Sequence, residues 1–132
     1  MKFTFGKPEK LKSQKLIEKL FTEGKSVKKF PIRLVYLQTQ HTSDFPIQAG
    51  FSVPKRNFKR AVDRNRIKRL FRGAYRHQKC DLYEQLENPY IFMSTFMGKK
   101  EPTYLEVQQK IQQVLALFKK VEKIQSHEAN KN

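Results

Sequence analysis

An α+β domain, with helices packed on a mixed sheet, is what this chain of 132 residues predicts. Three observations lead there. Short β-branched and aromatic runs recur at Ile32–Thr39, Ile47–Val53 and Tyr90–Phe96. Segments with helical apolar spacing lie before, between and after them. The resulting order, α-β-β-α-β-α, holds a strand–helix–strand unit at its centre, which places a helix against the sheet.

Residues 1–12 are basic and contain Gly6 and Pro8, so they read as a flexible N-terminal tail. Ser13 is placed to cap a helix and Gly24 to end it. Between them Leu16, Ile17, Leu20 and Phe21 form one apolar face. IRLVYLQT alternates as a strand, HTSDFP turns, IQAGFSV is a second strand, and PKRNFK is a basic loop. A helix runs from Ala61 to Arg76, and Lys79–Asn88 reads as a polar connection with room for a further helical turn. YIFMSTF is a buried strand and GKKEP a loop. Thr103 and Glu106 have capping-box spacing at the start of a long helix, with Tyr104, Val107, Ile111, Val114, Phe118 and Val121 as its apolar stripe. The domain spans residues 13–125, and 126–132 read as a disordered tail. There is no internal repeat and no second domain.

Lys and Arg number 28 against 12 Asp and Glu, a formal net charge of +16. That excess points to a polyanionic partner, nucleic acid before membrane. No segment approaches the ~20 apolar residues of a membrane span, and an amphipathic lipid-facing helix is lacking. Cys80 is the single cysteine, which excludes an intramolecular disulfide. With no signal-like start, the expected setting is reducing and cytoplasmic.

The charge concentrates on the helix AVDRNRIKRLFRGAYR. At 100° per residue Ile67, Leu70, Phe71 and Ala74 share one arc and form the core face. Asn65, Lys68, Arg69, Arg72 and Arg76 share the opposite arc, with Arg64 and Arg66 at its margins. A solvated helix normally mixes signs and gains ~0.2–0.5 kcal/mol from each i,i+4 ion pair. Here Lys68/Arg72 and Arg72/Arg76 repel at that spacing, and Asp63 helps only near the positive end of the helix dipole. Guanidinium groups make planar bidentate contacts to phosphate, so the ridge reads as a nucleic-acid surface rather than a solvated face.

RNRIKRLFRGAYR (Arg64–Arg76) resembles the arginine-rich signature of the bacterial ribonuclease P protein component. GFSVPKR resembles the strand and loop before that signature, and LKSQKLIEKLFTEGKSV the family's first helix and turn. PYIFMST and PTYLEVQQKIQQVLALFKK resemble its last strand and helix. The resemblance implies a ribosomal-protein-like fold and a subunit of an endoribonuclease that removes the 5′ leader from precursor tRNA. A large RNA performs the hydrolysis with divalent metal ions such as magnesium, and the protein binds no cofactor of its own. The implied partners are that catalytic RNA, in a one-to-one complex with a monomeric protein, and the leader of the precursor tRNA.

The same resemblance places Arg64, Asn65, Arg66, Lys68, Arg69, Arg72 and Arg76 at RNA-facing positions, with Lys55 and Arg56 nearby. It places a leader cleft between the first helix and the sheet, at Ile17, Phe21, Val35 and Phe51. Phe21 reads as cleft, while Phe51 fits core and cleft equally. Positions 17 and 35 are often aromatic in the family. Either stacking is weaker there, or Tyr36 takes it over from a shifted register. Gly73 replaces the family's acid or amide, and Asn57–Arg60 carries one residue more than the family before the helix.

No catalytic constellation emerges from the polypeptide. Asp81, Glu84 and Glu87 form the one acidic cluster and read as a solvated connector. His41, His77 and His127 lack a partner at metal-ligand spacing, Cys80 lacks an evident base, and there is no Gly-rich phosphate loop. Three rival readings stand beside the resemblance. One is a structural RNA-binding protein of ribosomal type. Another is a DNA-binding helix-turn-helix, which would need a helix and tight turn before Asp63 where strand and loop are read. The third is a metal-dependent nuclease acting alone.

Overall fold

The computed structural model describes residues 6–41 and 43–124. The elements are α1 (Gln14–Glu23), β1 (Lys25–Lys29), β2 (Ile32–Gln38), β3 (Ile47–Ser52), α2 (Ala61–Gln85), β4 (Tyr90–Phe96) and α3 (Tyr104–Val121). The four strands form one mixed sheet in the order β1-β2-β4-β3. β1 with β2 and β2 with β4 are antiparallel, and β3 with β4 is parallel. The expected α+β class holds, and α2 joins the two parallel neighbours.

Local chemistry sets the helix ends. Ser13 Oγ accepts from the Leu16 N–H at 3.3 Å, and the Gly24 N–H donates to Leu20 O at 2.8 Å. A Cβ on Gly24 would stand 3.0 Å from the Tyr36 carbonyl oxygen, so glycine lets the helix exit pass close to β2. In α3 Thr103 Oγ1 accepts from the Glu106 N–H at 3.2 Å, and Glu106 Oε1 accepts from the Thr103 N–H at 3.3 Å.

Strand alternation then sorts side chains between two unequal layers. Ile32, Leu34 and Tyr36 of β2, Ile47 and Ala49 of β3, and Tyr90, Phe92 and Phe96 of β4 join the main core with Ile67, Phe71 and Tyr75 of α2 and Val107, Ile111 and Phe118 of α3. Each such aliphatic or Phe side chain contributes roughly 1.5–3 kcal/mol on burial. Val35 and Ile91 point the other way, into a smaller cluster with Leu11 and Leu20 that α1 covers.

Three features depart from the sequence reading. KSVKK forms β1, which was not expected. Only Val27 of its five residues is buried, so alternation had one apolar residue to show, and its lysines suit an edge strand. Next, α2 continues through the segment read as a polar connection, because Leu82 and Tyr83 are core residues and Lys79 is only 1% exposed.

The third departure is the N-terminal arm, expected to be a flexible tail. Lys7–Glu9 forms a 3-10 turn, Lys10 bridges to Ala49 alongside β3, and the Leu11 N–H donates to Ala49 O at 3.0 Å. Glu9, 2% exposed, forms a buried ion pair with Lys79 and accepts from the Tyr83 hydroxyl at 3.1 Å. Tyr83 and Tyr75 share a further hydroxyl–hydroxyl bond of 3.0 Å. Burial is the first cause that pushes both phenols above their ordinary pKa. A carboxylate and an ammonium enter a core together when each satisfies the other. Residues 1–5 and the expected C-terminal tail, 126–132, lie outside the described residues.

Candidate nucleic-acid interface

The first half of α2 presents its cations as the helical wheel requires. Ile67, Phe71 and Ala74 are buried and Leu70 half-buried, while Asn65, Arg66, Arg69 and Arg76 are exposed and Arg64, Lys68 and Arg72 half-exposed. The margins of the ridge differ from its centre. The Arg64 guanidinium donates to the carbonyls of Phe58 at 2.7 Å and Lys59 at 2.9 Å. It therefore clamps the loop carrying exposed Lys55 and Arg56 to the start of α2. Arg66 pairs with Glu101 at 2.8 Å and Asp63 at 3.8 Å. These pairs are solvent-exposed, worth ~0–1 kcal/mol. Lys68, Arg69, Arg72 and Arg76 have no carboxylate partner among the described residues.

Gly73 has a packing reason. A Cβ there would stand 3.3 Å from Tyr104 Cε1, so the missing side chain seats the Tyr104 ring at the border of the ridge. Tyr104, read from sequence as part of the apolar stripe, is 39% exposed. Val121, at the other end of that stripe, is exposed too.

On the α1 side of the sheet, Ile17 is half-buried against the cluster of Leu11, Leu20, Val35 and Ile91. Val35 is buried beneath it, while Phe21 is 58% exposed. Ile17, Phe21 and Val35 thus belong to α1 and the sheet face it covers. Tyr36 and Phe51 do not share that face, which corrects the expected cleft. Tyr36 is paired with Phe92, on the face packed by α3. Its ring meets Phe118 edge-on at 4.8 Å, and its hydroxyl donates to Glu122 Oε2 at 3.1 Å. Burial first, then the Glu122 carboxylate, push its pKa up to about 12. Phe51 packs edge-on against Phe71 at 6.1 Å and Tyr75 at 5.7 Å. Tyr36 follows Val35 in the same strand and so points to the other face, and Phe51, paired with Ser94 beside Leu34, lies on that other face too.

Arg33 escaped the sequence reading. It pairs with Lys28 and Thr95 in the sheet, two residues before Val35 on the same face, and is exposed. Alternation in IRLVYL was the available signal. Among the described residues no group of three or more His, Cys, Asp or Glu side chains is placed to hold a metal ion. Asp81 and Glu84 are exposed on α2, Glu87 follows its end, and Cys80 is a half-buried free thiol. No described helix is long and apolar enough to cross a membrane.

Fold and surface together define a small basic α+β domain with a ridge of cations on one helix that lack a carboxylate partner among the described residues. Its sequence matches the profile of the family Ribonuclease P over residues 5–122, so the chain belongs to that family. It is 41% identical over 92 residues to the ribonuclease P protein component of Porphyromonas gingivalis, covering 67% of this chain and 66% of that relative. The match to the Chlorobium phaeobacteroides component is 43% over 82 residues, covering 58% and 55%. The chain thus spans less than two thirds of the length of these curated relatives. The fold is similar to that of the RNase P protein of Staphylococcus aureus, with a TM-score of 0.70 at 22% identity, covering 86% of this chain and 97% of that one. It is also similar to the Thermotoga maritima RNase P protein, with a TM-score of 0.65 at 19% identity, covering 81% and 94%.

Proposed function

We propose that this chain is the protein subunit of a cytoplasmic ribonuclease P ribonucleoprotein, which cleaves the 5′ leader from precursor tRNA. The observation that carries the reading is the ridge of Lys68, Arg69, Arg72 and Arg76, unpaired with carboxylates among the described residues, on the signature helix of a family member. This ridge binds phosphates of the catalytic RNA in a one-to-one complex, and the Arg64-clamped loop adds Lys55 and Arg56 to the same surface. Hydrolysis and its divalent metal ions belong to the RNA, and the protein contributes binding and orientation. The leader passes over the α1 side of the sheet. There Phe21 offers an aromatic face to an unpaired base, a contact worth roughly 1–3 kcal/mol, while Ile17 and Val35 form the apolar floor.

The test is cleavage of precursor tRNA by purified protein, by a bacterial ribonuclease P RNA at low salt, and by both together. The reading expects no turnover from the protein alone and faster turnover when protein joins the RNA. Metal-dependent cleavage by the protein alone, surviving ribonuclease treatment of the preparation, would sink it. No effect on RNA-driven cleavage would favour a structural RNA-binding role.

A further inference from the structure

The docked N-terminal arm carries a second basic surface. Lys7, Lys10, Lys12 and Lys15 line a groove of about 470 Å³ with His41 and Gln48, between the arm, the start of α1 and β3. A smaller groove of about 170 Å³ continues from Lys10 and Lys12 past Gly50 and Phe51 to Arg72 of the α2 ridge. The two share Lys10 and Lys12, and no carboxylate lines either among the described residues. Local electrostatics explain that one-sidedness. Glu9, the sole acid of residues 6–17, is turned inward and neutralised by Lys79, so the arm shows solvent only positive charge. An Nε2–H tautomer of His41 donates to Pro46 O at 3.2 Å while Nδ1 accepts from the Ser43 N–H at 3.3 Å, which satisfies the neutral ring.

The path starts at Arg72, on the helix-packed side of the sheet, rounds the β3 edge where the arm is bridged to Ala49, and reaches Gln48 and Leu16 on the α1 side. A stiff duplex cannot follow that turn within such small grooves, whereas a flexible single strand can. We infer that the N-terminal arm and β3 edge form a phosphate track for single-stranded RNA, linking the α2 ridge to the α1 face. The inference rests on the proposed RNA-binding function and adds a site to it. Lysine ammonium groups serve as point charges along the backbone, so the track is indifferent to base sequence.

The experiment uses the full chain and a labelled single-stranded oligouridylate, with affinity measured across a salt series. Lys7, Lys12 and Lys15 are all exposed, so the triple variant Lys7→Gln/Lys12→Gln/Lys15→Gln should keep the parental urea midpoint. Each lost phosphate contact flattens the slope of log K against log salt by about 0.7 for a single strand, hence by about 2 for three. A charge-matched control, Lys99→Gln/Lys100→Gln/Lys120→Gln, should change that slope far less. An unchanged slope in the arm variant, or an equal fall in the control, would overturn the track. So would a loss seen with ribonuclease P RNA but absent with the oligouridylate. Failure of the parent protein to bind either RNA would instead defeat the proposed function, so the two failures are distinguishable.

Discussion

From Lys68 to Arg76, α2 holds four cations at or near its surface without a carboxylate partner among the described residues; one turn later Lys79 is sealed against Glu9. The same helix uses positive charge in two ways. In its first half mutual repulsion lowers helix stability by a few tenths of a kcal/mol per i,i+4 pair and leaves phosphate-sized positions open. In its second half the ammonium is desolvated, paired, and flanked by the rings of Phe45 and Tyr83 at 5.9 and 5.4 Å. Charge alone does not say which use a lysine serves. The difference lies in whether the fold brings an acid to meet it.

The largest effect should come from breaking the buried pair. Glu9→Ala removes the carboxylate that pairs with the buried Lys79 and should cost about 3–5 kcal/mol in urea unfolding, whereas Glu9→Leu combined with Lys79→Met should recover most of that loss. A small loss in the single variant would mean that the arm is not held as described.

The next effect belongs to the α1 face. Phe21 is mostly exposed, so Phe21→Ala should leave the unfolding midpoint nearly unchanged. It should weaken binding of the assembled enzyme to leader-bearing tRNA by roughly 1–3 kcal/mol relative to mature tRNA. Equal losses on both tRNAs would make Phe21 scaffold rather than leader contact.

On the ridge the expectation reverses that for Lys79. Arg69→Ala and Arg72→Ala should each stay within about 0.5 kcal/mol of parental stability. Each should flatten the salt dependence of binding to the catalytic RNA by about 0.9. A variant that keeps the parental slope removes its residue from the interface.

Alkali gives the mildest perturbation. Tyr36 ionises more readily unfolded, near 10, than folded, at about 12. Its contribution is therefore fully present below pH 10 and declines as pH rises towards 12. Tyr75, Tyr83 and Tyr90 are pushed up likewise, with burial the first cause in each. Urea midpoints should fall in that window, and Tyr36→Phe should fall less steeply than the parent.

Local chemistry was legible in the amino-acid order. Ser13, Gly24 and the Thr103–Glu106 box mark helix ends because a cap joins groups three or four residues apart. The strands Ile32–Gln38, Ile47–Ser52 and Tyr90–Phe96 follow from β-branched and aromatic runs, and the ridge follows from a 3.6-residue period. What the tertiary structure decided depends on contacts between distant residues. Glu9 and Lys79 are 70 positions apart, so the docked arm had no local signal, and the sequence allowed only a further turn where α2 runs on to Gln85. Val27 alone could not announce β1 without the partner strand that its backbone joins. Alternation within β2 put Tyr36 on the face away from Val35, and the pairing of β3 with β4, a property of two strands, put Phe51 on that same face. Arg64 became a loop clamp because the chain before α2 folds back within reach of its guanidinium. The sequence by itself determined where positive charge sits along the chain; the packing of distant segments decided which cations are neutralised inside and which remain open to a polyanion, because pairing a buried charge requires a partner brought from elsewhere in the fold.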